Sequence, residues 1–263
     1  MPDVLIIGGR GNIGSGLRTY LPRLDPSYRI TSVDLPGAED LATGPVAQRN
    51  FVDLDVNADP EALSDLMAGR DLVIYLARVD PLEAMNRMSD LVFATVLRQR
   101  PVPMVLGASS VHACDGAYSV HKGVWSIWAE RRFDELDPPP ERVSSSIAAC
   151  PTGPYGEEKA YVEGWCRKLA AGGHAAIAAR WGGINAANNV HLPEKGYFAL
   201  WCHQKDGARF VHACYTTHLG GALPSGAHYF VTSANSYNIF DLELPRREIG
   251  YAPRHDAEDY PHP

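Results

Sequence analysis

The sequence predicts an α/β protein, a doubly wound parallel sheet with helices on both faces. Three observations carry that expectation. The chain opens on a short apolar run that breaks into a glycine cluster, Val4-Leu-Ile-Ile-Gly-Gly-Arg-Gly-Asn-Ile-Gly-Ser-Gly-Leu17. Strand-like and helix-like segments then alternate through the first half. Asp71-Leu-Val-Ile-Tyr-Leu-Ala77 is continuously apolar, as a strand covered on both faces must be.

In chain order, the first strand is expected at about Asp3–Ile7 and the first helix at about Ile13–Leu24. Arg29–Asp34 reads as the second strand and Arg49–Val56 as the third. Pro60–Met67 reads as a short helix, because proline suits a first turn. Asp71–Ala77 is the fourth strand, Pro81–Gln99 a helix and Val102–Gly107 the fifth strand. Pro154–Ala171 keeps helical spacing until Gly172-Gly173 stops it, and His174–Trp181 is the sixth strand. Between the fifth strand and that helix lies an irregular insert, 113–150, with Trp125, Trp128 and a charged run at Glu130–Glu135. It reads either as a surface excursion with its own small helix, or as a substrate lid or subunit contact.

Composition narrows the function classes. A net charge of −7 without any basic run argues against a nucleic-acid partner. No apolar stretch approaches the ~20 residues of a membrane span, and the start of the chain has no leader pattern. The five cysteines are scattered, without a C-x-x-C, so reduced thiols in a cytoplasmic protein and no metal site are expected.

The glycine cluster carries the most chemistry. Gly9, Gly11 and Gly14 spell G-x-G-x-x-G, and Gly8, Gly11 and Gly14 spell G-x-x-G-x-x-G. Both patterns serve a strand that turns sharply into a helix while its backbone approaches a pyrophosphate. The helix start then offers free N–H groups and a positive dipole end. Asp34 ends the second strand about 20 residues further on, where a carboxylate accepts hydrogen bonds from a ribose. A purely structural glycine turn is the bland alternative.

Tyr155-Gly-Glu-Glu-Lys159 is a Y-x-x-x-K, which on a helix puts both side chains on one face. A free phenol has a pKa of about 10, and a nearby ammonium favours the phenolate needed for proton transfer. Tyr118-Ser-Val-His-Lys122 has the same spacing but sits in the insert, with no long apolar-faced helix to carry it. Ser109-Ser110 follow the fifth strand, where a hydroxyl either orients a substrate oxygen or merely closes a turn. Asn86 either supports a water behind the lysine or is an ordinary polar helix residue.

In this order the pieces resemble an extended short-chain dehydrogenase/reductase of the NAD-dependent epimerase/dehydratase superfamily, which has a Rossmann-type fold. The segments Trp201–Asp206, Ser233–Asp241 and Arg247–Asp259 resemble in particular uronate dehydrogenase-like members. The resemblance implies a tetrad of Asn86, Ser110, Tyr155 and Lys159. It implies NAD contacts at Gly8, Gly11, Asn12, Ile13, Gly14, Asp34, Leu76, Ala77, Tyr155 and Lys159. It also implies an adenine-contacting aspartate, for which Asp53-Leu54 and Asp55-Val56 both fit, with Asp55 slightly favoured. The chain then divides into a dinucleotide-binding core over 1–180, carrying the insert, and a substrate cap with C-terminal helices over 181–263. A homodimer is the expected assembly.

The chain departs from the uronate pattern in its substrate residues. It has Val111-His112 where an Asn-His pair is expected, Asp80 beside Arg78 where a serine is expected, and no arginine shortly after Asn188-Asn189. The expected substrate is therefore a polyhydroxylated small molecule, with Asp80, His112 and His191 as candidate contacts. The expected activity is hydride transfer to or from a hydroxyl-bearing or carbonyl carbon. An epimerase or dehydratase without net redox change, and a non-catalytic dinucleotide sensor, are the alternatives.

Overall fold

In a computed structural model, which describes residues 1–43 and 50–260, the predicted α/β architecture is present. The strands are β1 (Asp3–Ile7), β2 (Arg29–Asp34), β3 (Phe51–Asp53), β4 (Leu72–Tyr75), β5 (Met104–Ser110), β6 (Ala176–Trp181) and β7 (His228–Val231). Among the described residues they form one parallel sheet in the order β3-β2-β1-β4-β5-β6-β7. The helices are α1 (Asn12–Leu24), α2 (Pro60–Met67), α3 (Leu82–Arg98), α4 (Gly123–Ala129), α5 (Pro154–Ala171), α6 (Tyr197–Leu200), α7 (Gln204–Leu219) and α8 (Glu243–Ile249).

The apolar strands separate into two faces because successive side chains point to opposite sides. Val4, Ile6, Leu72 and Ile74 pack with Leu17 and Leu21 of α1 and with Phe210, Val211 and Cys214 of α7. Leu5, Ile7, Val73 and Tyr75 pack on the other side with α2, α3 and α5, through Leu63, Met88, Phe93, Val162 and Cys166 among others. Continuous hydrophobicity in β1 and β4 is thus the signature of burial on both faces.

Strand ends differ from the sequence reading for local reasons. β4 stops at Tyr75 because the N–H groups of Leu76 and Ala77 both turn to the Ile7 carbonyl, at 2.8 and 2.9 Å. β5 begins later than expected, at Met104, after Pro103, which has no N–H to donate. It runs on through Ser109 and Ser110, paired with Arg180 and Trp181 of β6. β3 is shorter than the predicted Arg49–Val56: Arg49 lies outside the described residues, and beyond Asp53 the chain turns, with Ala58 N–H on the Asp55 carbonyl at 3.0 Å. The cysteines are all free thiols, and no described helix is long and apolar enough to cross a membrane.

The insert is more than a surface excursion. It contains a 3₁₀ segment over Val111–Ala117 and the helix α4, and it contributes to a further apolar core. Tyr118, Trp128 and Val143 from the insert pack there with Phe198, Trp201, Phe230, Ile239 and Phe240. Trp128 donates its indole N–H to the Tyr237 carbonyl at 2.7 Å, and Phe133 stacks on Tyr237 with centroids 3.6 Å apart. Val143 also bridges to Phe240 in parallel. The insert and the C-terminal part therefore fold as one body. Buried Asp206 ties down the last segment by accepting from Ser233 Oγ and from the backbone N–H groups of Arg254 and His255.

Trp128→Ala should destabilise the protein by about 3–5 kcal/mol, the cost of emptying a buried aromatic site. Urea unfolding would show this as a lower midpoint. A loss below about 0.5 kcal/mol would mean that the insert is only laid on the surface.

Candidate active site

A cavity of about 690 Å³ opens where β1, β4, β5 and β6 end. This is the carboxyl edge of the sheet, beside the reversal of strand order between β1 and β4, where open α/β sheets take ligands. Of the sequence-selected residues, Gly8, Gly11, Asn12, Ile13, Gly14, Leu76, Ser110, His112, Tyr155 and Lys159 line it together.

The glycines do different jobs. Gly8 has φ +91°, and a Cβ there would stand 2.6 Å from the Ala77 nitrogen. A Cβ on Gly14 would lie 2.6 Å from backbone atoms of Gly8 and Gly9, so this glycine lets α1 close on β1. Gly11 is different: its Cβ would meet only the Gly8 carbonyl oxygen, at 3.8 Å. Protein packing does not require glycine there, and Gly11 lines the cavity. Gly11 is also the N-cap of α1, with no side-chain cap among the described residues, so the helix start keeps donors for an anion.

Asp34 closes the far side of the turn, accepting from the N–H groups of Arg10 at 2.8 Å and Leu35 at 3.1 Å. The Arg10 guanidinium is engaged by Asp53 Oδ1 at 2.6 Å and the Leu35 carbonyl at 3.0 Å. Asp53 is in register with Asp34, whereas Asp55 accepts from Asn57 N–H in the turn beyond the strand. Asp34 and Ala77 thus stand against the glycine turn, and neither they nor Asp55 line the cavity itself.

Pro154 opens α5, and Tyr155 and Lys159 follow on one face of it. The Lys159 ammonium lies 5.2 Å from the centre of the Tyr155 ring. Ser110 ends β5 beside them and accepts from His112 N–H at 3.3 Å. Ser109, its neighbour, is committed to structure, donating to buried Glu163 at 2.7 Å. Burial pushes the Tyr155 phenol above its ordinary pKa. A hydrogen bond with Ser110 opposes this, Glu158 adds to it, and Arg78 opposes it. Burial likewise pushes Lys159 down, while Glu158 holds it up.

The remaining candidates are dispersed. His112 lines the cavity and meets Tyr155 edge-on, with centroids 5.4 Å apart. Asp80 is largely exposed and bound by Arg78 through two hydrogen bonds, at 3.0 and 2.6 Å. His191 lines a neighbouring pocket of about 600 Å³ with Glu130 and Arg131, not the main cavity. Asn86 lies on α3 away from the lining, and its buried side-chain oxygen has no hydrogen-bond partner among the described residues. The rival Tyr118 is buried against Phe240, 5.0 Å between centroids, and burial raises its phenol well above the ordinary value. Its partner by spacing, Lys122, caps a different helix.

Sequence reasoning missed Glu158, which occupies a neutral x in Y-x-x-x-K, and Asn185, Lys195 and Tyr197, which line the cavity from the cap side. Lys195 bonds Glu130 of the insert at 2.6 Å, and Asn185 donates to the Tyr197 hydroxyl at 2.9 Å. No local spacing announces these residues, because long-range packing alone brings them to the site.

No family model and no curated protein sequence matches the chain. Solved structures do. A mutated uronate dehydrogenase is 18% identical, with a TM-score of 0.72 over 98% of this chain and 83% of that one. Uronate dehydrogenase from Agrobacterium tumefaciens is 20% identical, with a TM-score of 0.69 over 98% and 86%. dTDP-glucose 4,6-dehydratase from Streptomyces venezuelae, solved with NAD and TYD bound, is 15% identical, with a TM-score of 0.66 over 98% and 94%. At these identities the likeness is one of fold.

Tyr118→Phe should leave the fold as stable as before or stabilise it by about 1 kcal/mol, since the buried hydroxyl it removes has no partner among the described residues. Urea unfolding measures this. A clear destabilisation would assign that hydroxyl a hidden bond.

Proposed function

We propose that this chain is an NAD-dependent oxidoreductase of the extended short-chain type. In this reading it moves hydride between the nicotinamide and a hydroxyl-bearing or carbonyl carbon of a polyhydroxylated small molecule. The observation that carries it is the meeting, in one cavity, of the turn residues Gly8, Gly11 and Gly14 with Ser110, Tyr155 and Lys159. The open start of α1 suits the pyrophosphate, and Asp34 suits an unphosphorylated ribose. NAD, when bound, supplies or accepts the hydride. Tyr155 moves the proton at its phenol oxygen, Ser110 orients the reacting oxygen, and Lys159 supplies the positive charge beside the phenol. Asn86, on α3, is a candidate water holder for the proton's exit.

The charges around the cavity favour a neutral substrate. Each cation lining it already has a carboxylate: Arg78 has Glu158 and Asp80, Lys159 has Glu158, and Lys195 has Glu130. A substrate carboxylate would have to displace one of these.

Gly11→Ala should weaken NAD binding about tenfold, equivalent to about 1.4 kcal/mol of steric conflict. The melting temperature should hold, because the added methyl meets only the Gly8 carbonyl oxygen, at an ordinary contact distance of 3.8 Å. NADP should bind more weakly than NAD, since its phosphate would approach Asp34. Fluorescence titration reads both, and tighter NADP binding would overturn the cofactor assignment.

Tyr155→Phe should abolish turnover while leaving NAD affinity nearly unchanged. Neutral polyols should exceed uronates in kcat/KM by at least about tenfold, because an unmatched buried charge costs more than about 1.4 kcal/mol. NADH absorbance across aldoses, cyclitols and uronates tests this. Product without any NADH would favour epimerisation or dehydration instead.

A further inference from the structure

The cavity is flanked by a run of alternating charges that the Y-x-x-x-K pattern does not require. Asp80, exposed to solvent, binds both terminal nitrogens of Arg78, at 3.0 and 2.6 Å. Arg78 Nε donates to Glu158 Oε1 at 2.8 Å. The same Glu158 oxygen lies 3.2 Å from Lys159 Nζ. Glu158 and the Lys159 side chain are almost wholly buried, at 1% and 5% exposure. Both cations face one aromatic ring, Lys159 at 5.2 Å and Arg78 at 5.3 Å from the centre of Tyr155.

We infer that Glu158 is a positioning residue that fixes the Lys159 ammonium against Tyr155, and that Arg78 is the opposing charge which sets how strongly it does so. A buried carboxylate shared by two cations has few ways to move without stranding one of them. The inference deepens the proposed acid–base role of Tyr155 and rests on that reading only for its effect on turnover.

Opposite signs make the arrangement testable. Glu158 favours protonation of both Lys159 and Tyr155, while Arg78 disfavours both. Other charged or titratable groups nearby are already committed. His112 faces Tyr155 from the segment after β5 and lies 3.5 Å from Asp115. Tyr75 of β4 bonds Ser89 of α3, and Asp90 of α3 takes Tyr161 and Trp165. Arg180 of β6 is closed on Glu163. Removing Glu158 should therefore lower both midpoints, and removing Arg78 should raise both.

The test is isotope-edited NMR titration of lysine Cε and tyrosine Cζ in the cofactor-free protein, with Lys159 and Tyr155 assigned by Lys159→Arg and Tyr155→Phe. In Glu158→Gln, both midpoints should fall by about one pH unit. In Arg78→Met, both should rise, and the double variant should lie between the two. If oxidation of a substrate by NAD is observed, both limbs of its kcat/KM profile should move the same way. The acid limb reports phenol ionisation and the alkaline limb loss of the ammonium. A purely structural role would lower stability without opposed shifts. Shifts in the same direction in both single variants, or none, would overturn the inference. If Glu158→Gln does not fold, the Arg78→Met rise alone decides. Opposed NMR shifts in a protein that neither binds nor reduces NAD would leave the charge arrangement standing and refute the proposed function.

Discussion

The close approach of backbone to backbone at the end of β1 is the constraint on which the rest depends. Gly8 lies against the backbone of Leu76 and Ala77, Gly9 against the Ser32 side chain, and Gly14 against Gly8 and Gly9. These contacts fix β4, β2 and α1 to one point. Gly8 N–H reaches the Val33 carbonyl at 2.8 Å, and Arg18 Nε holds the Gly9 carbonyl at 2.9 Å. A side chain at any of these glycines would separate the elements that make the cavity wall. The dinucleotide half of the proposed site is therefore formed by sheet closure itself.

That dependence explains what was legible in the sequence. Strands buried on both faces and a glycine turn are local signals, so Asp3–Ile7, Arg29–Asp34, Pro60–Met67 and Pro154–Ala171 coincide with observed elements. Tyr155 and Lys159 were legible because four residues make one helical step. Strand ends were less so, since the place where Leu76 and Ala77 turn away depends on a partner strand. The cap side was hardly legible. Asn185, Lys195 and Tyr197 reach the cavity only through packing between segments far apart in the chain. Glu158 was hidden for another reason: in a sequence, a carboxylate beside a lysine on a helix reads as solvated surface. Its burial is decided by Arg78, which arrives from the end of a different strand.

The two halves of the cavity rest on different supports. The glycine-turn side stands on the sheet, whose central strands are buried on both faces. The cap side stands on the further core shared by the insert and the C-terminal segments, with Trp128, Phe198, Trp201 and Phe240 at its centre. Lys195 makes the dependence concrete, because it is held by Glu130 and Ser126 of the insert. Changes in the insert would reach the cap side of the cavity through this core.

Charge is arranged on the same division. The turn side offers helix-start donors to an anion, with no fixed cation needed to supplement them. Arg10, within the turn, is already held by Asp53, and Arg18 by the Gly9 carbonyl. On the reacting side, every lining cation is matched by a carboxylate. A site built this way gives a charged substrate little to gain, because any ion pair it forms replaces one already present and only desolvation remains as a difference. In the proposed reading selectivity would then come from hydroxyl-sized hydrogen bonds to groups such as Tyr197 and His112, which line the cavity. Such groups discriminate strongly when a matching hydroxyl is missing, since the buried donor or acceptor is left unpaired. In the proposed function the matched charges and the polar cap wall suit the same kind of ligand, one read by the pattern of its hydroxyls.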